Sequence, residues 1–133
     1  MTAPTTGFAE VNKARLFYET TGDGQPVVFV HAGLADSGMW DAQFHTFAAH
    51  HRAIRYDMRG FGQSVPVKGK YSHAEDLAGL LKFLGIRRAS LVGCSQGRSV
   101  IVDYALANPA ALSALVLVST SPVGVELDMP GSP

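Results

Sequence analysis

Ser95 is the side chain in this sequence best placed to do chemistry. It stands in Gly93-Cys94-Ser95-Gln96-Gly97, after Ser90-Leu91-Val92 and before Val100, Ile101, Tyr104 and Ala105. The residues ahead of it form an uncharged run of strand type, and those behind it recur at helical spacing. A serine between strand and helix, with a glycine two residues away on either side, marks a sharp turn. Such a turn forces a strained backbone on the serine and leaves little room for a Cβ at Gly93 or Gly97. It lifts the hydroxyl to the tip of the sheet and points the first free amides of the next helix at any oxyanion formed there. The chemistry served by that arrangement is nucleophilic attack on an acyl carbon, with the developing charge held by peptide N–H groups.

The elements that must position this serine are legible on either side of it. Phe8 to Thr20 carries two short apolar segments around Asn12-Lys13 and predicts an edge hairpin. Val27-Val28-Phe29-Val30 has no polar alternation and predicts a central strand buried on both faces. It runs into His31-Ala32-Gly33-Leu34. Asp36 or Ser37 can cap a helix whose apolar face is Trp40, Phe44, Phe47 and Ala48. A strand over Ala53 to Tyr56 leads into the glycine-rich loop Asp57 to Ser64. Ser72-His73-Ala74-Glu75 is a capping box that opens a helix with Leu77, Ala78, Leu80, Leu81 and Leu84 inward, closed by Gly85. The helix after Ser95 stops near Asn108-Pro109, and Leu112 to Thr120 is the last strand. Met1 to Gly7 and residues 122–133 read as flexible ends of one domain spanning 1–133. Strands alternating with amphipathic helices predict an α/β fold: a mostly parallel sheet of about six strands with helices on both faces. Sites in such sheets form at the carboxyl ends of the strands. His31-Ala32-Gly33, Asp57 to Ser64, Ser95 and Ser119 to Pro122 all fall at that end.

Three motifs in this order resemble the α/β-hydrolase fold family: His31-Ala32-Gly33, Asp57-x-Arg59-Gly60-x-Gly62-x-Ser64, and Gly93-x-Ser95-x-Gly97. Met39-Trp40-Asp41 and Asn108-Pro109 are similar to its esterase, enol-lactonase and cofactor-free haloperoxidase branches. The resemblance covers about residues 8–125. It implies Ser95 as nucleophile, with the backbone amides of Gln96 and of Gly33 (or Leu34) as oxyanion hole. It implies a loop-bracing role for His31, and loop-holding hydrogen bonds for Asp57 and Arg59. It implies a small ester or lactone as substrate, hydrolysed through an acyl-enzyme, and no cofactor or metal. Arg98 departs from the pattern, standing where the family usually has glycine; it reads as a snorkelling residue ahead of an anion contact. Ala32 replaces the more usual glycine after His31.

All five histidines (His31, His45, His50, His51, His73) precede Ser95. In the resembling enzymes the acid and then the histidine follow the nucleophile. The chain therefore reads as the amino-terminal half of a hydrolase, weak or inactive alone, with a non-catalytic interaction scaffold as the competing reading. An improvised triad from His31 with Glu126 or Asp128 is disfavoured, because a histidine bracing the next loop is not free to reach Ser95.

Composition bounds the partners. Hydrophobic residues are 47% and charged residues 17%, a globular balance. Lys plus Arg and Asp plus Glu are 11 each, which gives no electrostatic case for nucleic acid or an acidic membrane surface. No signal peptide or membrane-length apolar run is present, so the expected compartment is the cytoplasm. Cys94 reads as a small buried residue, His50-His51 lack metal-ligand spacing, and Gly60-x-Gly62 lacks the rest of a nucleotide fingerprint. The uncharged strand 112–120 would lie at a sheet edge, where a second copy or a complementary carboxyl-terminal half is expected to pair.

Overall fold

The computed structural model describes residues 3–65, 67 and 69–118. Within them, β1 (Thr5–Val11), β2 (Ala14–Thr21), β3 (Pro26–Val30), β4 (Arg52–Tyr56), β5 (Ala89–Cys94) and β6 (Leu112–Val118) form one sheet in the order β1-β2-β4-β3-β5-β6. β1 and β2 make the expected hairpin. Asn12 and Lys13 both take positive φ, 50° and 66°, the paired left-handed turn whose twist matches that of the strands. β1 already includes Thr5 to Gly7, which pair with Thr20 to Tyr18, so the end expected to fray is laddered from Thr5 on. β2 joins β4 antiparallel, and β4, β3, β5 and β6 run parallel.

Helices cover both faces. Along β3, Val28 and Val30 point into one core with Leu77, Leu80, Val100 and Ile101 from α2 (His73–Phe83) and α3 (Gln96–Ala107). Val27 and Phe29 point the other way, into a smaller core with Trp40 and Phe44, where α1 (Asp41–Phe47) packs. This is why the strand shows no polar alternation. Asp36 is the cap chosen on the α1 side: its Oδ1 accepts from the Gly38 amide at 2.8 Å and opens a 3-10 turn, Ser37–Trp40, that runs into α1. Ser72 Oγ accepts from the Glu75 amide at 3.2 Å at the start of α2, and Gly85 sits just past its end with φ 71°.

Among the described residues the smaller core is incomplete on its β6 side. Phe47, expected on the buried face, is 38% exposed; its ring packs on Phe29 at the rim of an open groove of about 400 Å³. Val92, Val116 and Val118 line the groove beside Trp40, whose buried indole Nε1 has no partner among the described residues. β6 is the expected edge strand, and Leu115, Val116, Leu117 and Val118 stay exposed along it. Ser119 and Thr120, read as its continuation, lie outside the described residues. So do Ser121, Pro122, Glu126, Asp128 and the rest of the expected linker. No described helix is long and apolar enough to cross a membrane.

Candidate active site

β5 ends at Cys94 and α3 starts at Gln96, so Ser95 alone makes the turn between them. Its backbone stands at φ 55° and ψ −114°, a combination that costs an L-residue energy unless the surroundings impose it. Three features impose it. The Ser95 amide donates to the Val118 carbonyl at 3.0 Å, closing the β6 ladder. Its carbonyl accepts from the Arg98 and Ser99 amides at 3.0 and 3.3 Å, starting α3. Gly93 and Gly97 provide the clearance: a Cβ at Gly93 would fall 2.7 Å from the Gly97 carbonyl carbon, and one at Gly97 would fall 2.6 Å from the His31 carbonyl oxygen. Helix α3 thus begins directly against the end of β3.

That packing sets the 31–34 loop beside the turn. A Cβ on Gly33 would lie 2.5 Å from Gln96 Oε1, so the two segments touch across the glycine. Leu34 holds φ 63° with its side chain fully exposed, a second strained position that no residue preference announces. Among the described residues the amides of Gly33, Leu34 and Gln96 make no hydrogen bond, and neither does the Ser95 hydroxyl. One hydroxyl and three unpaired peptide donors therefore stand on neighbouring segments at one end of the sheet. Unpaired donors at a helix start and in an adjoining loop suit an anion or an oxyanion.

The loops carrying these donors are tied down from below. His31 is fully buried, and both ring nitrogens are engaged: Nε2 accepts from the Met58 amide at 2.9 Å, and Nδ1 donates to the Ala32 carbonyl at 2.8 Å. Burial holds its pKa below the ordinary imidazole value, outweighing the Ala32 carbonyl, Asp57 and Asp36, which all favour the charged form. Asp57 Oδ1 accepts from the Ser37 amide at 2.7 Å and Oδ2 from the Gln63 amide at 2.9 Å. Ser64 Oγ donates to the Asp57 carbonyl at 2.7 Å and accepts from the Phe17 amide at 2.9 Å. Arg59 forks onto Asp76 through Nε and Nη2 at 2.9 and 2.8 Å, and Nη2 also donates to the Asn12 carbonyl at 3.1 Å.

Asp76 and Asn12 were not singled out from the sequence. They lie far from Arg59 in the chain, and only the fold brings them to it. Arg98 is exposed on α3 and pairs with no carboxylate among the described residues. His45, His50 and His51 belong to α1 and the turn before β4, at the amino ends of the parallel strands and so opposite Ser95. His73 opens α2 beside Phe61 and Tyr71, with burial lowering its pKa against the pull of Asp76. Cys94 is buried in the smaller core. No three described His, Cys, Asp or Glu side chains are grouped to hold a metal ion.

Comparison with known proteins agrees with this architecture. A family model described as alpha/beta hydrolase fold matches residues 25–132. The non-heme chloroperoxidase CPO-A1 of Kitasatospora aureofaciens is 34% identical over 119 residues, 85% of this chain and 43% of its own length. The structure of Est816, described as an N-acyl homoserine lactone degrading enzyme, superposes with a TM-score of 0.81 at 30% identity, covering 85% of this chain and 45% of that one. The enol-lactonase of Burkholderia xenovorans LB400 superposes with a TM-score of 0.78 at 30% identity, covering 82% of this chain and 45% of that one. The chain spans about two fifths of the length of the curated relatives it matches. With this sheet order, this strand–serine–helix turn and a family match over most of its residues, the chain belongs to the alpha/beta hydrolase fold family.

Proposed function

We propose that this chain supplies the nucleophile and the oxyanion-binding amides of a serine hydrolase for small esters or lactones. The observation that carries the proposal is the backbone of Ser95, held at φ 55° and ψ −114° between β5 and α3 beside three unpaired amides. Ser95 Oγ attacks the acyl carbon, the tetrahedral oxyanion is held by the Gln96 N–H and that of Gly33 (or Leu34), and the alkoxide leaves. Water then attacks the acyl-enzyme and frees Ser95. Gly93 and Gly97 make the turn possible, while His31, Asp57 and Arg59 hold the flanking loops. Two structurally similar proteins are named for lactone chemistry, which favours a lactone or ester.

Removing the Ser95 proton needs a base. His31 has no free nitrogen for it, and three of the other histidines lie at the opposite end of the sheet. His73 lies beside Phe61 and Tyr71 at the start of α2, and in this scheme the acid and base come from polypeptide outside the described residues, docked along β6. Labelling with a fluorophosphonate tests the assignment. Ser95 should label slowly in the chain alone and faster once a histidine-bearing carboxyl-terminal half of a relative is added; Ser95→Ala should not label at all. Equal p-nitrophenyl acetate rates for wild type and Ser95→Ala, with no labelling in either setting, would leave the scaffold reading, which is favoured by the lack of a hydrogen bond between the Ser95 hydroxyl and any described histidine.

A further inference from the structure

His31 does more than fill space under the 31–34 loop. Its ring is fully buried and edge-on to Phe61, with centroids 5.1 Å apart. The Met58 N–H can only donate, so Nε2 must be the unprotonated nitrogen. The Ala32 carbonyl can only accept, so Nδ1 must carry the proton. The surroundings thus select one tautomer of the neutral ring, and the ring ties the loop bearing Gly33 and Leu34 to the loop that begins at Asp57.

We infer that His31 is an acid-sensitive latch: a second proton, which has to go on Nε2, breaks the Met58 bond and releases the loop that presents the Gly33 and Leu34 amides. With Nε2 protonated, two N–H groups would face each other across 2.9 Å in a fully buried site. The charged groups facing the ring do not rescue it. Asp57 spends both carboxylate oxygens on the Ser37 and Gln63 amides, and Asp36 Oδ1 is held by the Gly38 amide. His73, on α2, opposes a second positive charge, and Arg59 is committed to Asp76. Relief comes only from movement of the loop. The depressed pKa is consistent with that cost. As a statement about catalysis this rests on the proposed hydrolase reading; as a statement about the loop it does not.

The test uses the whole 133-residue chain with nitrogen-15 in its histidines and backbone. At neutral pH the His31 ring should show the Nδ1–H tautomer. On acidification the Met58, Gly33 and Leu34 amide resonances should shift with the His31 midpoint, which lies below 6.5, and exchange protection of the Met58 amide should fall about tenfold or more across it. His31→Gln keeps an acceptor and a donor at that position without titrating there, so the shared step should vanish. An Nε2–H tautomer, or a His31 titration that leaves those three amides unmoved, would overturn the latch in wild type, whether or not the variant folds. Because these readouts do not depend on turnover, a chain that latches but never labels at Ser95 would count against the hydrolase reading alone.

Discussion

Two residues show how tightly the turn is built. A Cβ at Gly97 would run into the carbonyls of Val30 and His31, backbone atoms that cannot step aside. Gly97→Ala should therefore cost about 3 kcal/mol, the upper range for overpacking, read from the urea midpoint. His31 sets a pH dependence whose sign follows from its depressed pKa. Below 6.5 the unfolded chain takes up a proton that the folded chain refuses, so stability should fall as the pH drops through that window and level off below the folded value. His31→Gln should flatten the slope of the urea midpoint over that range. At this scale the sequence was informative where chemistry is local. Gly93, Ser95 and Gly97 declare their turn by type and spacing alone. Leu34 does not: a leucine at φ 63° is imposed by the loops around it, and no propensity announces it.

Among the elements, the loop from Asp57 to Ser64 is the joint that links the hairpin, α2 and the 31–34 segment. Its strongest tie is the Arg59–Asp76 fork, with side chains 5% and 2% exposed. Removing one partner strands the other charge in the core, so Asp76→Ala should cost about 3–5 kcal/mol. Arg59→Met with Asp76→Leu should recover much of that loss, and a double-mutant cycle in urea measures the coupling. The strands and helices themselves were readable because each is locally consistent: β3 from its unbroken apolar run, α2 from its capping box, the hairpin from Asn12-Lys13. The fork was not, because Asp76 looks like an ordinary first-turn carboxylate of α2 until the fold delivers Arg59 to it. Phe47 misled for a related reason. Helical periodicity says which face is apolar, not whether the sheet beneath it is fully covered.

For the molecule as a whole, the two faces of the sheet are unequally dressed. Among the described residues, α2 and α3 close one side, while α1 closes only the β3–β4 half of the other. Among the described residues the remainder, from the Trp40 groove to β6, is uncovered, and Leu115 to Val118 along β6 are apolar and exposed. Such an edge pairs with whatever strand it meets. Light scattering at tens of micromolar should find wild type self-associated, and Val116→Lys should shift it toward monomer with little change in urea midpoint; a monomeric wild type would refute the edge as a docking surface. The groove also carries its own reporter. Trp40 is the single tryptophan of the chain, and its indole lines the groove with the ring nitrogen unpaired among the described residues. Its fluorescence should therefore change when polypeptide settles there, so that assembly can be followed in unlabelled protein by light alone.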